Sequence, residues 1–220
     1  MGYQNRRKIL NMTSTTQIHT ENDELDNYDV SNASDGFMTT YTGIKFNPLK
    51  PTPDMVNIYD IAHALSQIAR WGGHLRCHYS VAQHCVMVAE ICDPGDHPIG
   101  LLHDATEAYI GDMIRPLKYL KQMYGVYKKI EHRIDGAIAK AFELESIEKT
   151  RSVEVADVVQ LALENIHLKL KPSGWAFETL EKYPQFKILK PLVPWSPEVA
   201  EAKYLEKFGQ LFGPKYFTQY

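Results

Sequence analysis

The chain has 220 residues, of which 44% are hydrophobic and 23% are charged, with a net charge of −3 and a pI of about 6.3. This length suits one domain with a substantial hydrophobic core, and the slight acidic excess argues against a nucleic-acid polymer as the main partner, because domains that bind phosphate backbones are usually basic. The apolar stretches are too short to span a membrane, and we expect neither a membrane segment nor a signal peptide.

The three cysteines indicate a compartment. Cys77, Cys85 and Cys92 form no Cys-x-x-Cys pair, and their odd number does not suit a framework of disulfides. Reduced thiols are typical of cytosolic proteins, so we expect a cytoplasmic location, or the host cytoplasm if a phage encodes the chain.

The first 37 residues differ in composition from the rest. They begin with the basic run Arg6-Arg7-Lys8 and are then polar and acidic from residue 21 to residue 35. Such a segment buries too little apolar surface to offset the entropy that is lost on ordering. We therefore predict a mobile N-terminal tail over residues 1–37 and one domain over residues 38–220.

The remainder of the chain shows mainly helical periodicity. A short strand or turn is predicted at 42–46, and apolar residues then recur at helical spacing from about 58 to 70. Further helices are predicted over about 79–91, 98–109, 122–142, 147–168 and 197–211, with a proline-containing irregular segment between 172 and 197. Strand signals are sparse. The predicted fold class is therefore all-α, a bundle of about six helices.

The adjacent pair His103-Asp104 is the most informative feature, because it lies within the apolar predicted helix at 98–109. A charged aspartate is rarely buried without a partner, and a metal ion commonly serves as that partner. A single histidine in an apolar helix is usually an ordinary core residue. Here, however, two further candidates lie in similar stretches, and the set predicts a site for one divalent metal ion with the ligands His84, His103, Asp104 and Asp157.

The ligand types indicate which ions suit this site. Neighbouring helix residues point about 100° apart, so His103 and Asp104 reach one ion only if it lies against the helix between them. Nitrogen and carboxylate ligands suit Zn²⁺, Mn²⁺, Co²⁺ or Fe²⁺ better than Ca²⁺. Such an ion polarises a phosphoryl oxygen or lowers the pKa of bound water, so phosphate chemistry is expected.

Two acidic residues that follow the pair are catalytic candidates. Glu107 lies four residues after His103 and shares its helix face, where a carboxylate can position or deprotonate a water molecule. Asp112 follows Gly111 and can face the same cavity. Glu107 can instead be a solvated helix residue, and Asp112 can instead be a residue of the last helical turn.

Arg70-Trp71 and Lys118 are candidate substrate-binding residues. A guanidinium binds phosphate, an indole stacks on a base or sugar, and Lys118 supplies a second cation. Each also has an ordinary alternative, since Arg70 can be a cation at a helix end, Trp71 a core aromatic residue and Lys118 a surface lysine.

Together these features resemble the HD-domain metal-dependent phosphohydrolases, whose hallmark is a His…His-Asp…Asp set on an all-α bundle. The resemblance covers about residues 41–212. Arg70-Trp71, the run Tyr79-Ser80-Val81-Ala82-Gln83-His84 and the run from Leu102 to Asp112 are similar to motifs of the YfbR-type 5′-deoxynucleotidases and the phage dATP triphosphohydrolases. The resemblance implies metal ligation by the set named above, action on water by Glu107, and a nucleotide surrounded by Arg70, Trp71, Asp112 and Lys118.

The implied activity is metal-dependent hydrolysis of the ester bond at the 5′ carbon of a deoxynucleotide. A triphosphate would give a deoxynucleoside and triphosphate, a monophosphate would give a deoxynucleoside and phosphate, and dATP is one expected substrate. The resemblance also implies a homo-oligomer. Two alternatives stay open: another HD phosphodiesterase acting on a cyclic nucleotide or ppGpp, and a non-catalytic nucleotide sensor that binds its ligand without hydrolysing it.

Overall fold

The computed structural model describes residues 36–186 and 191–217, without the side chains of residues 121 and 122. The predicted tail at 1–37 lies outside these residues except for its last two positions. The all-α prediction is confirmed, because the regular structure of the described chain is helical apart from two strands of two residues each, β1 (Met38–Thr39) and β2 (Lys45–Phe46). These strands pair in antiparallel fashion.

Six helices of nine residues or more lie in the described chain, and five of them correspond to predicted helices; three shorter helices complete the bundle. In chain order they are α1 (Ile58–Gln67), α2 (Val81–Ile91), α3 (His97–Leu102), α4 (Glu107–Ile110), α5 (Arg115–Lys118), α6 (Lys121–Ala141), α7 (Arg151–Leu168), α8 (Gly174–Lys182) and α9 (Pro197–Phe212). None of the helices within the described ranges is both long and apolar enough to cross a membrane.

The predicted continuous helix at 98–109 is wrong in one respect, because the chain tightens into a turn at residues 103–106, between α3 and α4. There the backbone N–H of Ala105 donates to the carbonyl of Leu102 at 2.9 Å, and the N–H of Glu107 donates to the carbonyl of Asp104 at 3.0 Å. Both bonds span three residues, as in a 3₁₀ helix, and such a segment within a helix often marks a functional position. The pair His103-Asp104 therefore lies in a tight turn.

The first helix ends at Gln67, not at residue 70 as predicted, because the next residue, Ile68, is extended. Extended backbone at Ala69 then forms an antiparallel bridge with Ser80. A 3₁₀ turn follows over Arg70–Gly73, in which Trp71 has a φ of 59°. This left-handed conformation is uncommon for a tryptophan and is typical of residues that the surrounding structure holds at a functional site.

Helix α8 falls within the segment that was predicted to be irregular. Its start is held by the backbone N–H of Ser173, which donates to Asn165 Oδ1 of α7 at 2.7 Å. Ala176 is fully buried, so one face of the helix packs on the domain. Helix α7 itself begins at Arg151, later than the predicted residue 147, because Thr150 provides its N-cap.

Helices α3 and α2 approach each other closely at Gly100 of α3. A Cβ atom at this position would lie 2.9 Å from the Cα of Ala89 in α2 and 2.9 Å from the Sγ of Cys92. No real Cβ tolerates such contacts, so only glycine lets α3 lie this close to α2. This approach places the turn at 103–106 beside the histidine of α2.

Candidate metal centre

His84 of α2 is fully buried and has a fixed orientation. Its Nδ1 lies 2.7 Å from Oε1 of Glu164 in α7. A carboxylate accepts hydrogen bonds, so Nδ1 carries the proton and donates it. Nε2 is buried and has no hydrogen-bond partner among the described residues. The lone pair of the neutral ring is therefore available at Nε2.

The ring of His103 is also oriented by a hydrogen bond from Nδ1, although its acceptor is different. Its Nδ1 donates to the carbonyl oxygen of Gly100 at 2.7 Å, one helical turn earlier. Its Nε2 is likewise buried and, within the described chain, without a hydrogen-bond partner. A histidine that ligates a metal through one nitrogen almost always donates its other N–H to a carboxylate or carbonyl, and both rings show this arrangement.

The two predicted aspartate ligands converge on these nitrogens. Oδ2 of Asp104 lies 3.2 Å from Nε2 of His103 and 3.8 Å from Nε2 of His84, and Oδ1 of Asp157 lies 3.2 Å from Nε2 of His84. The ligand atoms of His84, His103 and Asp104 all lie within 4.8 Å of one another. Asp157 lies outside that compact group. The chemistry of the four residues fits a divalent ion, because two imidazole nitrogens without hydrogen-bond partners in the described chain face carboxylate oxygens, and this arrangement favours a positive charge between them.

The charged groups around the site stabilise the anionic form of both aspartates and the cationic form of His84. Burial by itself raises the pKa of Asp104 and of Asp157, but Lys149 and the two histidines outweigh it, so the pKa of each aspartate lies well below its usual value. Burial and Arg70 disfavour the imidazolium of His84, yet Glu164 and Asp157 outweigh them and raise its pKa. The space beside Nε2 of His84 thus favours a cation, whether a proton or a metal ion.

Glu164 is a central residue that the sequence analysis missed. It is fully buried, and its second oxygen, Oε2, accepts a hydrogen bond from Nε1 of Trp71 at 2.8 Å and lies 3.5 Å from Nη2 of Arg70. Burial raises the pKa of this carboxyl, but Arg70 and His84 outweigh the effect and lower it. Glu164 follows Asp157 by seven residues, two helical turns, and this spacing on one helix face was the available signal.

Arg70 and Trp71 are therefore anchored to the same carboxylate that orients His84. Nη1 of Arg70 also lies 3.5 Å from Oδ2 of Asp104, which links the guanidinium to the metal-binding group. The ring of Trp71 carries the ammonium of Lys169 above it at 4.0 Å from the ring centroid. The indole lies on the cavity wall, half-buried, with its N–H directed inward.

Glu107 is buried, and its Oε2 has no hydrogen-bond partner among the described residues. Burial and the nearby carboxylates of Asp104 and Asp112 raise the pKa of Glu107 well above its usual value. The pKa of Asp112 is raised as well, again mainly by burial. A desolvated carboxyl with a raised pKa is typical of a group that exchanges protons during catalysis.

Three lysines that line the cavity pair with carboxylates. Nζ of Lys118 lies 2.6 Å from Oε1 of Glu131, and Nζ of Lys128 lies 2.7 Å from the other oxygen of the same residue. Lys149, which the sequence analysis did not single out, contacts Oδ2 of Asp157 at 2.6 Å. Its position before α7 gave no local signal.

A cavity of about 870 Å³ opens beside these residues, large enough for a nucleotide. His84 is not among the residues that line the cavity, but its Nε2 lies near Oδ2 of Asp104 and Oδ1 of Asp157. The other predicted site residues all line the cavity, namely Arg70, Trp71, His103, Asp104, Glu107, Asp112, Lys118 and Asp157. The structure thus brings every sequence-predicted site residue to one place, while their chemical roles remain predictions.

Comparison with known proteins finds two similar chains of unassigned function. The uncharacterized protein YfdR of Escherichia coli K12 is 35% identical over 175 residues, which cover 80% of this chain and 95% of that protein. The uncharacterized protein RCAP_rcc00048 of Rhodobacter capsulatus is 35% identical over 135 residues, which cover 56% of this chain and 68% of that protein. No family model matches the chain.

Proposed function

The chain belongs to the same protein family as YfdR of Escherichia coli, and we propose that it is a metal-dependent phosphohydrolase of the HD-domain type. Its proposed reaction is hydrolysis of the ester bond at the 5′ carbon of a deoxynucleotide. The products are a deoxynucleoside with triphosphate from a deoxynucleoside triphosphate, or a deoxynucleoside with phosphate from a monophosphate. dATP is the substrate to test first.

One observation supports the metal above all others. Two buried imidazoles, His84 and His103, each donate Nδ1–H to a fixed acceptor and direct an unpartnered Nε2 toward aspartate oxygens. A structural core histidine normally has both nitrogens satisfied or one of them in water. When bound there, a divalent ion such as Mn²⁺, Co²⁺ or Zn²⁺ would offset charge on a phosphoryl oxygen and make water more acidic.

The acid–base role is proposed for Glu107. Glu107 lines the cavity, and its buried Oε2 has no hydrogen-bond partner among the described residues, so this carboxylate is free to accept a hydrogen bond from a water molecule that attacks a phosphorus atom. The raised pKa makes the carboxylate a stronger base than an exposed glutamate, which favours proton acceptance during attack. Asp112, whose pKa is also raised, is the second proposed acid–base group on the same wall.

Substrate binding is proposed for three residues at the cavity wall. Trp71 offers an indole face whose position is fixed by its bond to Glu164, which suits stacking against a base or sugar. Arg70 and Lys118 supply positive charge to the phosphate groups. Both cations are also held by carboxylates, so their positions are set before the substrate binds.

The proposed ligand is a free nucleotide and not a nucleic-acid polymer, because the net charge of the chain is −3. A cytoplasmic location is proposed from the cysteines, all three of which are free thiols. A homo-oligomer remains the expected assembly by resemblance.

The test is an assay of the purified protein with Mn²⁺ or Co²⁺ against all deoxynucleoside and ribonucleoside mono- and triphosphates, with phosphate, pyrophosphate and triphosphate resolved. Release of triphosphate supports the triphosphohydrolase reaction, and release of phosphate from monophosphates alone supports a 5′-nucleotidase. Binding of dATP without release of a nucleoside would contradict catalysis and favour the sensor. A cyclic nucleotide and ppGpp are assayed in parallel, and turnover of either one without turnover of any of the other nucleotides would overturn the proposed substrate class.

A further inference from the structure

Lys149 lies in the connection between α6 and α7, outside the motifs of the sequence analysis, yet its ammonium contacts two proposed metal ligands. Nζ is 2.6 Å from Oδ2 of Asp157 and 3.5 Å from Oδ1 of Asp104. Its side chain is 33% exposed and lines the cavity. The ammonium of a residue that lines the cavity therefore contacts the proposed metal-binding group directly.

Each of the two aspartates has one carboxylate oxygen near a histidine and the other oxygen near Lys149. Oδ1 of Asp157 and Oδ2 of Asp104 each lie 3.2 Å from a histidine Nε2. The remaining oxygen of each carboxylate is the one that Lys149 contacts. A metal ion beside the imidazoles and the ammonium of Lys149 would thus share the same two negative charges.

Because the ammonium of Lys149 and the proposed metal ion share the same carboxylates, the presence of one weakens the binding of the other. With no ion bound, the two carboxylates attract the ammonium strongly, since Nζ lies 2.6 Å from Asp157 and 3.5 Å from Asp104. A divalent ion bound to the same carboxylates neutralises them and repels the ammonium at short range. The long stem of a lysine and the partial exposure of this one let the ammonium turn into the cavity at low cost.

We propose that Lys149 is a phosphate-binding residue that the ligand carboxylates hold until a divalent ion binds and frees it for the substrate. This inference rests on the proposed function. It makes the metal ion and the phosphate group bind cooperatively, because the ion attracts phosphate with its own charge and also releases the ammonium of Lys149. It also makes Lys149 a competitor of the ion, so its removal strengthens ion binding while it weakens phosphate binding.

The test compares Lys149→Met with Lys149→Arg, which keeps the charge, and with the control Lys128→Met. Lys128 lines the same cavity but pairs with Glu131 and not with the proposed ligands. Mn²⁺ affinity is measured by titration calorimetry without substrate. Inorganic phosphate is then titrated into the metal-free and the Mn²⁺-loaded protein. Thermal unfolding shows whether each variant is folded.

We expect Lys149→Met to bind Mn²⁺ about threefold or more tightly than the wild type, since a competing charge is lost. Phosphate affinity of its Mn²⁺-loaded form should fall about tenfold, while Lys149→Arg keeps most of that affinity. Lys128→Met should change Mn²⁺ affinity by less than Lys149→Met does.

Two results would overturn the inference. Weaker Mn²⁺ binding by Lys149→Met would show that the ammonium orients the carboxylates instead of competing with the ion. Unchanged phosphate binding by its Mn²⁺-loaded form would show that Lys149 does not contact phosphate. Failure of the proposed function is distinguishable, because the wild-type protein would then bind no Mn²⁺ or would hydrolyse no nucleotide.

Discussion

Glu164 Oε1 accepts a hydrogen bond from Nδ1 of His84 at 2.7 Å, and both side chains are fully buried. Helices α2 and α7 meet at this bond, which sets the orientation of the His84 ring. The other oxygen of Glu164 holds the indole N–H of Trp71. One carboxylate thus joins the proposed metal centre to the proposed substrate wall.

Glu164→Gln should weaken Mn²⁺ binding about tenfold to a hundredfold, the usual effect of removing a partner of a metal-ligating histidine. An amide cannot accept both bonds, because one of its two ends is a donor. Titration calorimetry with Mn²⁺ measures the change. The control is Glu178→Gln at an exposed position of α8, and equal affinities for the two variants would contradict the role of Glu164.

Asp104→Ala should abolish metal binding and nucleotide hydrolysis together. The substitution removes the carboxylate whose Oδ2 lies near both imidazole nitrogens. Mn²⁺ titration and the product assay are run on the same preparation. The matched control is Asp93→Ala, an exposed aspartate before α3. Normal turnover by Asp104→Ala would rule out the metal assignment.

Glu107→Gln should keep Mn²⁺ affinity and lower kcat by about 10²–10⁴, the usual contribution of a general base. The amide has nearly the same shape but does not accept the proton of an attacking water. Measurement of kcat beside Mn²⁺ affinity separates the acid–base role from metal ligation. Glu90→Gln, at an exposed position of α2, provides the control. A parallel loss of Mn²⁺ binding would instead make Glu107 a ligand.

Asp135→Asn should stabilise the fold near neutral pH but not in acid. Burial raises the pKa of Asp135 to about 6, although the hydroxyl of Thr106 donates to it. A carboxyl with a raised pKa in the folded state binds more protons there, so stability falls as pH rises from about 4 to about 6. An asparagine does not ionise, so the variant does not lose stability over this pH range.

The expected gain of Asp135→Asn at pH 7 is about 1–3 kcal/mol in the free energy of unfolding, from the size of the pKa change. Urea unfolding of both proteins at pH 4 and at pH 7 measures it. A gain of equal size at the two pH values would show that packing and not ionisation causes the effect.

Gly100→Ala should destabilise the domain by about 1–3 kcal/mol, the usual cost of overpacking. Its Cβ would meet Ala89 and Cys92 at 2.9 Å. The carbonyl of residue 100 also holds His103, so Mn²⁺ affinity should fall as α3 moves away from α2. Thermal unfolding and Mn²⁺ titration measure the two effects.

Gly136→Ala is the matched control for Gly100→Ala. Gly136 lies within α6, and a Cβ there meets nothing within 4 Å among the described residues. Alanine in a helix interior is favoured over glycine by about 0.5–1 kcal/mol, so this variant should be slightly stabilised. Equal destabilisation of both variants would contradict the close approach at Gly100.

The sequence by itself predicted the helical class and most, but not all, of the residues that the structure brings together at the candidate site. Helical periodicity is local, so the extents of α2, α6 and α9 followed closely from apolar spacing and from prolines and glycines. The signal from Asp104 beside His103 in an apolar segment is also local, since burial of a charged aspartate requires a counter-charge. These signals need no knowledge of what lies nearby in space.

Only the tertiary structure decided which side chains share charges and hydrogen bonds. His84 and Glu164 are separated by 80 residues in the chain, and Arg70 and Asp104 by 34, so no local pattern indicated either contact. The break of the helix at 103–106 and the close approach of α3 to α2 at Gly100 are both features of packing that no local pattern indicated. Lys149 lies among the ligands for the same reason: the fold of the α6–α7 connection, and not the spacing along the chain, places its ammonium beside Asp104 and Asp157.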